Sequence, residues 1–163
     1  MAKAWIALGA NLGDPPAQLR SALQRIGALP NVMLDATSRF YRSAPIGPPN
    51  QRFYCNAVCA ITTTLPPAEL LEALQGIEEI AGRDRSGARW GPRVLDLDVL
   101  LYDDLVLETP KLKLPHPQMH LRNFVLAPLA EIAPDRIVLG HGRVADLLAA
   151  AGNDGLTLWP ESI

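Results

Sequence analysis

Residues 5–8 form a short apolar run that Gly9-Ala-Asn-Leu-Gly13 ends, which predicts a buried strand followed by a turn. Asp14 then reads as a helix N-cap, with Pro15 in the first turn, where a missing N–H costs nothing. Leu19, Leu23 and Ile26 recur at helical spacing with Ala22 beside them, and Gly27 ends the run. Residues 32–41 predict a second strand, rich in β-formers towards its end. The stretch 43–52 holds three prolines and a glycine, so it reads as a ten-residue loop, long enough to have a function of its own.

A third strand is predicted over 53–63. Pro66-Pro67 opens a second helix, whose apolar side is Leu70, Leu71, Leu74, Ile77 and Ile80 and whose polar positions include Glu69, Glu72, Gln75, Glu78 and Glu79. A second long loop, rich in glycine and arginine, covers 82–92. The clearest strand is 95–102, followed by a turn at Asp103-Asp104 and a short return strand over 105–107. Helical stretches are predicted over 122–132 and 144–151. The order β-α-β-β-α-β with a helical C-terminal extension predicts an α+β fold, a ferredoxin-like sandwich. Its centre is an antiparallel four-stranded sheet, with the extension covering the second face so that helices lie on both. Loops about 43–52 and 82–93 are expected to be mobile.

Composition narrows this picture. The chain has 163 residues, 48% of them apolar and 20% charged, which fits one domain over 1–163 with a real core. A net charge of -2 speaks against wholesale binding to nucleic acid or an anionic membrane. No secretory or membrane-spanning segment is legible, and a cytoplasmic location and a monomeric state are expected. Cys55 and Cys59, four residues apart on a predicted strand, are about 13 Å apart, too far for a disulfide.

The sharpest chemical feature is Arg89-Trp-Gly-Pro-Arg-Val-Leu-Asp-Leu-Asp98. On a strand Asp96 and Asp98 share one face, while Leu95, Leu97 and Val99 take the other. Two carboxylates so placed form a hard oxygen site suited to Mg²⁺; the plainer reading is an edge strand with two solvated acids. Arg83, Arg85, Arg89 and Arg93 fall within eleven residues just before them, and guanidinium forks bind phosphate oxygens. Acids for a metal and arginines for phosphates together suit a nucleoside triphosphate. No Walker-type loop is present. His116 lies between two prolines, either as a donor to a phosphate or as a packing residue, and zinc at His116 and His120 is disfavoured by Pro117. Tyr54, Asn56 and Phe124 suit a flat heterocycle or, equally, an ordinary core. An RNA-binding sheet and a nucleotide-sugar transferase are the competing readings.

The same motif is similar to the signature of the 6-hydroxymethyl-7,8-dihydropterin pyrophosphokinase family of the folate pathway. The likeness extends to Ile6-Ala-Leu-Gly-Ala-Asn-Leu-Gly13, Phe53-Tyr-Cys-Asn-Ala57, Pro115-His-Pro-Gln-Met-His120 and Arg122-Asn-Phe-Val-Leu126. The resemblance implies transfer of the β,γ-diphosphate of ATP to the pterin hydroxymethyl group, with release of AMP. It implies that Asp96 and Asp98 bind two Mg²⁺ ions, with Asp98 placed as a general base. By the same resemblance Arg83 and Arg93 contact phosphates, and Arg85 is a catalytic-loop arginine that also faces ATP. Gln75, Glu78, Trp90 and His116 line the nucleotide or active site, and Arg122 approaches the transferred phosphate. For the pterin, Tyr54 and Phe124 sandwich the ring and Asn56 reads its edge, while Ser43, Pro45 and Ile46 belong to the loop that closes the pocket. Gln118, Leu121 and Asn123 depart from the residues usual in relatives.

Overall fold

The computed structural model describes residues 1–44, 53–82 and 95–160. The opening apolar run forms β1 (Ala2–Ala10). Asp14 caps α1 (Pro15–Ala28), its carboxylate accepting the Ala17 N–H at 3.2 Å. Leu19, Ala22 and Ile26 are its buried stripe, and the helix continues one residue past Gly27.

The strand predicted over 32–41 is in fact two, β2 (Val32–Thr37) and β3 (Tyr41–Ser43). Ser38 causes the break. Its hydroxyl accepts the Val58 N–H at 3.0 Å and donates to the Arg39 carbonyl at 2.8 Å, while its own N–H donates to the Val58 carbonyl. A side chain thus takes a backbone place in the ladder, and the chain steps along β4 (Tyr54–Thr63). β2 pairs with the far half of β4 and β3 with residues 54–56. Ser43, expected on a loop, is therefore a buried strand residue.

α2 (Pro67–Ile80) buries Leu70, Leu74 and Ile77 as expected, but Ile80 is exposed and Glu78 is buried, the reverse of the pattern reading. β5 (Asp96–Tyr102) follows. The return strand expected over 105–107 is instead β6 (Leu107–Glu108), which pairs with β7 (Lys113–Leu114) in a separate two-stranded ribbon. A 3₁₀ turn (Met119–Leu121) leads into α3 (Asn123–Ile132). A small ribbon of β8 (Ile137–Val138) and β9 (Gly142–Arg143), then α4 (Val144–Ala151) and β10 (Leu156–Leu158), complete the described chain.

The strands β5-β1-β4-β2 run in the antiparallel ferredoxin-like order, so the predicted core is present. Among the described residues the sheet nevertheless has six strands rather than four, because β3 pairs with β4 and β10 pairs with β3. β10 spans three residues, too few for alternation to register in the sequence. Helices α1 and α2 cover one face through Leu19, Ile26, Leu70 and Leu74 against Ile6, Leu8, Ile61 and Leu97. On the other face α3 and α4 bring Val125, Leu129 and Val144 against Trp5, Val58, Ala60 and Leu100. With both faces covered, β1 and β4 are nearly continuously buried rather than alternating.

Candidate active site

Cross-strand register builds the floor of a cavity beside the two aspartates. Gly9 on β1 is paired with Asn56 on β4 to one side and with Asp96 on β5 to the other. Directly paired residues share a face, so the Asn56 and Asp96 side chains flank a position that has none. One register step away Ala7 sits between Val58 and Asp98 in the same manner. Two strand spacings separate the amide from the carboxylate by about 10 Å. A cavity of about 210 Å³ lies over this floor, lined by Ala7, Gly9, Ser43, Tyr54, Asn56, Asp96, Asp98, His116, Arg122 and Phe124 among others. A register shift between Trp5 and Ile6 leaves Leu100 as an extra residue on β5, so both Leu100 and Leu101 pack on the α3 face. Asp96 and Asp98 then stand on that same face, with Leu95, Leu97 and Val99 in the opposite core, as alternation predicts.

The walls divide chemically. On one side the Ser43 hydroxyl donates to Asn56 Oδ1 at 2.6 Å; both residues are buried. This bond fixes which way the amide points and turns its N–H₂ towards Gly9, where the nearest approach to an added Cβ would be 3.3 Å. Tyr54 and Phe124 supply aromatic surface beside it. Arg122, just before α3, carries its guanidinium 5.8 Å from the Phe124 ring centroid.

On the other side stand Asp98, which is exposed, and His116. His116 is held from the backbone up: its N–H donates to the Leu100 carbonyl at 2.9 Å, tying it to β5. Its Nδ1 accepts the Gln118 N–H at 3.1 Å, so the proton of the neutral ring lies on Nε2. Burial lowers its pKa below the ordinary histidine value; the Asp98 carboxylate pulls it up and the Arg122 guanidinium pushes it down. A second cavity of about 240 Å³ shares Asp98 and His116 and adds Leu71, Val99, Lys111, Leu112 and Lys113. Its two lysines make it a cationic annex to the first.

Ser43, Tyr54, Asn56, Asp96, Asp98, His116, Arg122 and Phe124 are therefore brought together, although they come from β3, β4, β5, the segment leading into α3 and the first turn of α3. Pro45, Ile46, Arg83, Arg85, Arg89, Trp90 and Arg93 lie outside the described residues. Gln75 is on the exposed side of α2, and neither it nor Glu78 lines either cavity. Glu78 instead accepts the Leu97 N–H at 2.8 Å. His120 stacks on His141, with ring centroids 3.6 Å apart, rather than joining His116. Asn123, one of the departures from the family pattern, donates to the Asp154 carbonyl at 3.1 Å. The residues that pattern reading missed are Ala7 and Gly9, whose small size opens the floor. Their only sequence signal is a glycine and an alanine on a strand, which becomes informative once their partners are known.

The donor set suits a hard divalent cation. Asp96 and Asp98 both line the cavity and offer two carboxylates, and a cation held there would take its other positions from oxygens beyond this pair. That is the habit of Mg²⁺ in phosphate sites.

The chain is similar to known proteins of one family. The family described as 7,8-dihydro-6-hydroxymethylpterin-pyrophosphokinase (HPPK) matches residues 5–134. The 2-amino-4-hydroxy-6-hydroxymethyldihydropteridine pyrophosphokinase of Pseudomonas aeruginosa is 44% identical over 97% of this chain and 97% of that protein. The enzyme of the same name from Haemophilus influenzae is 47% identical over 91% of this chain and 92% of its own length. Among solved structures, Plasmodium falciparum HPPK-DHPS with pteroate superposes with a TM-score of 0.74 at 13% identity, which speaks to the fold. The match covers 96% of this chain but 46% of that longer one. On the family match and the near full-length identity to these relatives, the chain belongs to the 7,8-dihydro-6-hydroxymethylpterin-pyrophosphokinase family.

Proposed function

We propose that this cavity transfers the β,γ-diphosphate of ATP to the hydroxymethyl group of 6-hydroxymethyl-7,8-dihydropterin, with release of AMP. The observation that carries the reading is the division of one cavity into two walls. Ser43, Asn56, Tyr54 and Phe124 suit a flat, hydrogen-bonding heterocycle; Asp96, Asp98, His116 and Arg122 suit a metal-bound polyphosphate. The floor at Ala7 and Gly9 lets both substrates lie side by side. The lysine-lined annex beyond Asp98 and His116 has the charge and position for the nucleotide.

In this reading Asn56, fixed by Ser43, presents its N–H₂ to the edge of the pterin, and the aromatic rings hold the ring plane. Asp96 and Asp98 hold Mg²⁺, two ions by the family resemblance, which when bound neutralises and clamps the phosphate oxygens. Diphosphoryl transfer needs in-line placement and charge stabilisation more than covalent help. His116, with its proton on Nε2, donates to a phosphate oxygen, and Arg122 approaches the group in transit. Asp98, which lines the same cavity, takes the proton of the attacking hydroxyl. Arg83, Arg85 and Arg93, with Trp90, complete the phosphate and nucleotide contacts, and Pro45 and Ile46 complete the pterin pocket. No helix of the described residues is long and apolar enough to cross a membrane. An enzyme acting as a monomer in the cytoplasm, with no nucleic-acid or membrane partner, fits the balanced charge. The sheet face that an RNA-binding module presents is covered here by α3 and α4.

The test is AMP formation from ATP, with Mg²⁺ and the pterin each added or left out. AMP formed only when both are present supports the proposal. Intact ATP in the presence of folded protein, Mg²⁺ and fresh pterin refutes it.

A further inference from the structure

Among the described residues β5 is an edge strand, paired with β1 on one side. An edge leaves backbone groups that must find other partners. Two of these partners are seen here. The Leu100 carbonyl accepts the His116 N–H at 2.9 Å, and the Leu97 N–H donates to Glu78 Oε2 at 2.8 Å. Leu97 is the residue between the two aspartates. The peptide whose N–H Glu78 holds is the one that joins Asp96 to Leu97, so the carboxylate sets ψ of Asp96 and φ of Leu97. Those angles aim the Asp96 side chain and fix its offset from Asp98.

Glu78 is 3% exposed, on a helix whose other buried positions, Leu70, Leu74 and Ile77, are apolar. Its carboxylate accepts the Leu97 N–H, a bond that no aliphatic side chain in that place would make.

We infer that Glu78 is a positioning residue, which clamps the Leu97 amide so that the Asp96 and Asp98 carboxylates are held at the spacing a divalent cation needs. This rests on the reading of the two aspartates as the metal ligands given above. It makes α2 part of the metal site without a ligand of its own, in the way that outer partners orient metal ligands elsewhere.

Three variants separate the acceptor from the charge. Glu78→Gln keeps an acceptor of the same reach, Glu78→Asp keeps the charge but falls one methylene short, and Glu78→Leu keeps neither. Two readouts are independent of turnover: hydrogen exchange of the Leu97 amide, and Mn²⁺ binding to the protein with the metal alone, followed by EPR. The third is the Mg²⁺ midpoint for AMP formation. In Glu78→Asp and Glu78→Leu the Leu97 amide loses protection, and Mn²⁺ affinity falls roughly 10–100-fold, the usual effect of losing an outer partner. The Mg²⁺ midpoint rises in parallel. In Glu78→Gln protection and metal affinity return towards wild type. Unchanged Mn²⁺ affinity in the Asp variant despite an unprotected Leu97 amide overturns the inference. So does loss of affinity in the Gln variant with the amide still protected, since charge rather than position would then matter. If the Leu variant does not fold, the Asp and Gln pair decides. A wild-type protein that makes no AMP refutes the catalytic reading, while exchange and Mn²⁺ binding still judge the clamp.

Discussion

Replacing Gly9 by alanine is the sharpest test of how the cavity is made. An added Cβ lies 3.3 Å from Asn56 Nδ2 and 4.0 Å from the Cys55 carbonyl oxygen. The first contact is a few tenths of an ångström too close, so Asn56 must give way. It cannot do so freely, because its Oδ1 accepts the Ser43 hydroxyl at 2.6 Å and both residues are buried. Either the amide leaves its rotamer, at about 0.5–1.5 kcal/mol, or the Ser43 bond is broken, at about 1 kcal/mol. Tenfold in affinity is about 1.4 kcal/mol, so the KM for the pterin should rise about three- to tenfold. In the folded protein the cost at Asn56 offsets the roughly 0.5–1 kcal/mol by which alanine is favoured over glycine inside a strand, so stability should change by no more than about 1 kcal/mol. In a domain of this size that is a change in Tm of at most about 4 °C. The assay is AMP formation at saturating ATP and Mg²⁺ with varied pterin, beside thermal unfolding of the same samples. A pterin KM within twofold of wild type refutes the account of the floor. So does an equal rise in the KM for ATP, which would mean general damage rather than a displaced amide.

Further outcomes follow from the same geometry. Asp96→Asn and Asp98→Asn should each lower kcat by at least ~10²-fold, the scale of losing one preorganised electrostatic contact, while circular dichroism and Tm stay near wild type; activity surviving in both variants would remove the metal reading. Ser43→Ala leaves Asn56 Oδ1 without its donor and should raise the pterin KM by about 5–100-fold with the KM for ATP unchanged, measured in the same assay. Burial pushes the Cys59 thiol up to about 12, so iodoacetamide at pH 8 should label it only after unfolding, as mass spectrometry of labelled samples will show. The Tyr41 hydroxyl is also raised to about 12, first by burial and then by its bond to Glu131. Both groups stay protonated when folded but lose protons when unfolded. Their share of stability is therefore intact below about pH 9 and should fall as pH rises towards 12, which urea melts across that range will measure.

The linear pattern of apolar and polar residues was enough for the elements that repeat over several turns or pleats. The α1 stripe, the alternation of Asp96 and Asp98 against Leu95, Leu97 and Val99, and the ferredoxin-like order of elements follow from periods of 3.6 and 2, and the Asp14 cap from residue type alone. Local chemistry also singled out Asp96, Asp98 and His116, which line one cavity, because paired acids and a proline-bracketed histidine are unusual enough to be read one by one. What tertiary structure decided were the pairings between distant segments. Ser38 splits the second strand only because Val58 lies opposite it, and β10 exists only because β3 offers an edge. Ile80 and Glu78 exchange their expected places because the Leu97 N–H at the edge of β5 requires an acceptor, and hydrophobic periodicity does not count backbone donors. Gly9 matters for the same reason: its meaning lies in Asn56 and Asp96 on either side, which the chain brings together from 47 and 87 residues away in sequence.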